Sequence, residues 1–118
     1  GFGLLGHLSE MCEASNASVS LEFEAVPTID RAILDHYLTL KCVPGGTVRN
    51  WDSYGHKIAG ATEYQRQILA DPQTSGGLLV AIQAGHETEF EQIAAENGFD
   101  LKPFGVFTDR GADLITVR

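Results

Sequence analysis

The chain has 118 residues, with 16 acidic side chains against 8 basic ones, a formal net charge of −8, and 43% hydrophobic residues. That length is one domain, able to bury roughly two-thirds of its unfolded surface, and no apolar run approaches the ~18 residues of a membrane span. Binding to nucleic acid or to an anionic membrane needs clustered Lys and Arg, and the basic residues here are scattered singly, so both are excluded as partners.

Gly1-Phe2-Gly3-Leu4-Leu5-Gly6 opens without a methionine or a polar lead-in. A cut through a longer chain is expected, with methionine removal ahead of glycine as the alternative. Leu4, Leu5, Leu8, Met11 and Cys12 then recur at helical spacing, which predicts a helix over 4–15 capped by Asn16 in the left-handed conformation. Gly1, Gly3 and Gly6 lie at its N-terminal end, where free amides and the positive end of the dipole favour phosphate. Their Gly-x-Gly-x-x-Gly spacing matches a dinucleotide loop, but no strand precedes it, so close helix packing through small residues is an equal reading. His7 and Glu10, three apart, form a surface hydrogen bond rather than a metal site, because no third ligand is visible.

Cys12 and Cys42 stand far apart with no ligand spacing around them. They read as free thiols in a reducing compartment, and with no secretory leader the expected location is the cytoplasm. Val19 to Glu24 alternates as a half-buried strand with Val19, Leu21 and Phe23 inward. Thr28 or Asp30 caps a second helix whose inner face is Ile29, Ala32, Ile33 and Tyr37.

Periodicity vanishes over 43–57, where Pro44, Gly45, Gly46 and Gly55 break regular structure. A long loop that still invests Trp51 and Tyr54 is expected to be a functional lid or binding loop. Thr47, Arg49 and Asn50 supply hydroxyl, guanidinium and amide donors suited to phosphate. The alternative is an ordered crossover pinned by its aromatics.

Thr62 to Ala70 predicts a helix with Tyr64, Ile68 and Leu69 inward and Gln65 and Arg66 outward. It leads into Asp71-Pro72-Gln73-Thr74-Ser75-Gly76-Gly77, a turn whose amides and hydroxyls suit a small anion, although the residues alone favour a structural turn. The apolar run from Leu78 predicts a central strand over 78–83. His86 to Asn97 is an amphipathic helix with Phe90, Ile93 and Ala94 as its stripe and Gly98 as its cap. Strands 104–108 and 114–117 form a terminal hairpin with Gly111 at positive φ. The order α-β-α-loop-α-β-α-β-β predicts an α+β domain over 1–118. Its sheet is expected to be mixed and largely antiparallel, with four or more strands and helices mainly on one face.

Three phosphate-compatible segments thus occur with no nucleophile–base pair, metal cluster or acid/base dyad assembled by spacing. Half of a site is the inference. Gly1 to Leu8, Val43-Pro44-Gly45-Gly46-Thr47-Val48-Arg49-Asn50, Ser53-Tyr54-Gly55-His56 and Asp71 to Leu79 together resemble the C-terminal domain of the selenide, water dikinases, also called selenophosphate synthetases. The first and last recur in the wider superfamily that includes phosphoribosylaminoimidazole synthetase; the middle two point to the selenium enzymes.

The resemblance implies a full enzyme making selenophosphate, AMP and orthophosphate from selenide, ATP and water with magnesium, and acting as a homodimer. It places the reactive cysteine or selenocysteine, its lysine and most metal-binding aspartates in an N-terminal domain, so Cys12 and Cys42 inherit no catalytic role. This chain is then expected to be inactive alone, with no catalytic or metal-binding residue of its own, and to cover an ATP cleft. Gly1, Gly3 and Gly6 would lie near the phosphates, Thr47, Arg49 and Asn50 on a mobile closing loop, and Asp71, Gln73, Thr74, Ser75, Gly76 and Gly77 along the domain interface. A synthetase of the phosphoribosylaminoimidazole type and a non-catalytic interaction module are the competing readings.

Overall fold

A computed structural model describes residues 1–118. Helix α1 runs Gly3–Ser15, as its periodicity predicts. It ends at Asn16, whose φ of 49° and ψ of 45° are left-handed and whose N–H is donated back to the carbonyls of Cys12 and Glu13. Leu5, Leu8 and Cys12 enter the core, while Leu4 and Met11 stay half-buried. Strand β1 follows at Ala17–Leu21, and the chain leaves it through a short 3-10 turn at Phe23–Ala25. Val19, Leu21 and Phe23 are all buried, as the alternation requires.

Helix α2 spans Arg31–Thr39 and is capped by Asp30, whose carboxylate accepts the Ile33 amide. Its predicted inner face is wrong. Ile29, Ala32, Ile33 and Tyr37 are exposed, and the half-buried side is Arg31, Leu34 and Leu38. Apolar residues at 32, 33, 34, 37 and 38 surround this helix, so spacing alone could not choose between two stripes.

The expected loop over 43–57 is instead helix α3, Gly45–Tyr54, followed by a 3-10 turn at Gly55–Lys57 and the short strand β2, Ile58–Ala59. Two glycines in its first turn conceal it from propensity, and the buried Tyr54 offsets their cost through packing. Helix α4, Glu63–Leu69, begins at a reciprocal capping box: Thr62 Oγ1 accepts the Gln65 amide and Gln65 Oε1 accepts the Thr62 amide. Thr62→Ala should cost about 1 kcal/mol, measured as a small drop in thermal midpoint with helix content otherwise retained. Arg66, expected outward, is half-buried with its guanidinium 4.4 Å from the centre of the Trp51 ring.

Helix α5, Glu87–Glu96, seats Ala94 and half-buries Phe90 but leaves Ile93 exposed. Strands β3, Gly105–Asp109, and β4, Ile115–Val117, complete the sheet in the order β2-β4-β1-β3. They do not form the predicted hairpin. β1 lies between them, antiparallel to β3 and parallel to β4, and β2 is also parallel to β4, so the sheet is mixed rather than largely antiparallel. Ser18 explains the crossing: its hydroxyl donates to the Asp113 carbonyl and accepts the Gly111 amide, holding the connection over the end of β1. Without a two-residue reversal Gly111 has no need of a positive φ, and it lacks one.

The predicted central strand at 78–83 is absent from the sheet. Leu78 is 94% exposed, and only Leu79 packs against the core. A continuous apolar run carries no register, so it fits a strand only where a neighbour is free to pair with it. The class remains α+β. Helix α1 packs on β1 and β4, and α3 and α4 pack on α1, so the core lies between one sheet face and these three helices. No helix is long and apolar enough to cross a membrane.

Candidate functional site

Helix α3 organises the glycine segments. Gly46, Asn50 and Tyr54 fall at i, i+4 and i+8, hence on one stripe. At Gly46 a β-carbon would stand 2.9 Å from Pro72 Cγ, so this glycine admits the start of the 71–77 turn. One turn along, Asn50 Nδ2 donates to the carbonyls of both Gly1 and Ala70, each at 2.9 Å. Another turn along, the buried Tyr54 hydroxyl donates to the Phe2 carbonyl at 2.7 Å. The two segments also touch directly: Gly3, at φ +75°, lies so close to Ala70 that a β-carbon would be 2.7 Å from its carbonyl carbon. Gly6 in turn makes room for Phe2 and the Tyr54 ring. Segments some fifty and seventy residues apart in sequence are thereby stitched into one unit.

Burial pushes the Tyr54 phenol up to about 12. The folded state therefore holds this proton more tightly than the unfolded state does. The resulting stability is fully present below pH ~10 and is lost as pH rises from there toward about 12. In a phenolate absorbance titration, the step missing from Tyr54→Phe should be the one near pH 12; a missing step near the ordinary tyrosine value would contradict this environment.

Beside the stitched segments lies a partly open cavity of about 1270 Å³. Gly1, Gly3, Asp71, Gln73, Thr74, Gly76 and Gly77 line it, as do Leu4, His7 and Met11 of α1 and Leu34 and Leu38 of α2. Gly6, Thr47, Arg49, Asn50 and Ser75 lie off its wall. Gly6 and Thr47 are buried, and the Thr47 hydroxyl has no hydrogen-bond partner. Arg49 is exposed beside Gly45 and Gly46. Both Asn50 amide hydrogens are already committed. Within the turn, Gln73 Nε2 donates to the Asp71 carboxylate and the Gln73 amide to the Asp71 carbonyl, leaving the Thr74 and Ser75 side chains exposed. No three His, Cys, Asp or Glu side chains converge on a metal position, and His7 meets only Glu10, at 3.3 Å on the surface.

Sequence reasoning missed how Tyr54, Ala70 and Pro72 build the site. The signal was present as Gly46-x-x-x-Asn50-x-x-x-Tyr54, but it becomes a stripe only once the segment is known to be helical.

The family model for the C-terminal domain of AIR synthase related proteins matches residues 1–118. The chain belongs to this family. Among curated relatives of this AIR synthase related domain, the selenide, water dikinase of Pseudomonas putida is 50% identical over 117 residues, covering 99% of this chain and 33% of the relative. That of Pseudomonas aeruginosa is 52% identical over 117 residues, again 99% and 33%. That of Aeromonas hydrophila is 54% identical over 105 residues, covering 89% of this chain and 30% of the relative. The chain thus spans about a third of the length of these relatives.

Proposed function

We propose that this AIR synthase related domain is the C-terminal part of a cytoplasmic, homodimeric selenide, water dikinase, and that it forms one wall of the ATP cleft. The full enzyme would convert selenide, ATP and water to selenophosphate, AMP and orthophosphate with magnesium, its reactive residues lying in an N-terminal domain. The observation that carries this reading is the joining of Gly1–Gly6 to Ala70–Gly77 by α3, beside a partly open cavity with room for a nucleotide. Identity near one half to dikinases over 99% of the chain favours the selenium enzymes over a phosphoribosylaminoimidazole-type synthetase.

Each segment then has a task within its chemistry. The exposed Thr74 and Ser75 hydroxyls and the Gly76 and Gly77 amides are donors free to meet phosphate oxygens. Arg49, beside the start of α3, offers a cation at the positive end of a helix dipole. The carboxylates of this chain do not converge as a magnesium site; in this reading the ion's ligands would lie in the N-terminal domain.

Two measurements test the proposal. In the full-length protein, Mg-ATP should shift backbone resonances at residues 1–7, 45–50 and 71–77, and selenide should elicit AMP. The purified 118-residue chain should form none. Shifts confined to other surfaces, or selenide-dependent AMP from the isolated chain, would overturn it.

A further inference from the structure

Asn50 occupies a position that a phosphate-binding residue does not need. Its side-chain amide is half-buried, and its nitrogen donates to two carbonyls that belong to segments about seventy residues apart. Both partners are acceptors only, so the orientation of the amide is set: nitrogen toward Gly1 and Ala70, oxygen away from them. No other side chain of its size supplies two N–H groups from one atom. Asp presents only acceptors, Ser one donor, and Ala none. Tyr54, one turn along, holds the first segment alone through Phe2.

We propose that Asn50 is a positioning residue that couples the Gly1–Gly6 segment to the Ala70–Gly77 turn, so that both move as one wall and present their donors to nucleotide in fixed register. This rests on the nucleotide-cleft reading. Through Gly3 and Ala70 the two backbones are already in contact, and the Asn50 amide closes that contact from the α3 side. Gly46 against Pro72 extends the same stripe to the turn itself. Asn50 never touches nucleotide in this scheme; its effect on binding passes through the two carbonyls.

The test is made in the full-length protein, by amide hydrogen exchange without ligand and by steady-state kinetics. Asn50→Asp keeps the volume and removes both donors. Exchange should accelerate about tenfold at residues 3–8 and at 70–73 together, the size expected for one or two lost hydrogen bonds, while α5 is unchanged. The KM for ATP should rise about tenfold with a smaller change in kcat, the signature of lost ground-state positioning. Tyr54→Phe should accelerate exchange at residues 3–8 alone. Acceleration in only one segment of Asn50→Asp, uniform acceleration throughout, or an unchanged KM for ATP would overturn the proposal. If Asn50→Asp does not fold, wild-type exchange decides: residues 3–8 and 70–73 must share one opening free energy, and two separate values would refute the coupling. A wild-type protein that forms no AMP from ATP would defeat the nucleotide reading instead, while the exchange results still judge the coupling.

Discussion

Gly3→Ala should destabilise the chain by about 3 kcal/mol, lowering the thermal midpoint by roughly 12 °C. Two costs combine. The backbone at Gly3 has φ +75°, a region an L-residue enters at ~1–2 kcal/mol. The new β-carbon would also sit 2.7–2.9 Å from three backbone atoms of Ala70, which cannot swing away as a side chain can. Relief requires the start of α1 and the end of α4 to part. Because that junction carries the turn at 71–77, the substitution should also weaken any response to Mg-ATP. Gly77→Ala is the control. Its backbone also lies at positive φ, +102°, but its β-carbon meets nothing within 4 Å, so only the backbone penalty of ~1–2 kcal/mol is expected. Thermal unfolding of the two variants side by side decides the matter; equal losses would show that the Gly3–Ala70 contact contributes nothing.

Ile115→Ala should cost about 3–4 kcal/mol, the range for truncating a fully buried aliphatic side chain and leaving a cavity. Ile115 is 0% exposed and lies on β4, paired with Val19 of β1 on one side and Ile58 of β2 on the other. Its loss therefore loosens both parallel pairings at once. Against a typical domain stability of about 5–15 kcal/mol, that is a large share. Val106→Ala on the edge strand β3, where Val106 is 67% exposed, should change stability by no more than ~0.5 kcal/mol. Chemical denaturation of both variants checks the contrast. Similar losses would place the core elsewhere than between α1 and the parallel strands.

These two residues also mark how far the chain could be read before folding. Ile115 was recognisable as a strand residue from its local pattern, but its neighbours were not. The short link 109–113 looked like a hairpin turn, because nothing near it discloses that β1, ninety residues upstream, fits between β3 and β4. Strand order is decided by which edge finds complementary apolar side chains, a non-local choice. Gly3 was marked by its motif, yet phosphate approach and backbone packing both call for glycine. Only the position of Ala70 shows the packing role.

Local rules carried the elements whose stabilising partners lie within a few residues. The span of α1, its left-handed cap at Asn16, the span of α4 and the burial of Val19, Leu21 and Phe23 all follow from periodicity and cap chemistry visible in the sequence. They failed where tertiary contact outweighs propensity. α3 begins with two glycines and is helical because Gly46 admits Pro72 and because Tyr54 is buried with its hydroxyl bonded to the Phe2 carbonyl. The run from Leu78 has strand composition and no strand partner.

By itself, then, the sequence determined the α+β class, most helices, the acidic surface and the family, because each depends on short-range spacing or on residue identity. The tertiary structure alone decided that β1 separates β3 from β4, that the 43–57 segment is a helix, and that Asn50 faces two backbones rather than open solvent. Those outcomes depend on groups brought together from about twenty to ninety residues apart, and no local pattern encodes which of them will meet.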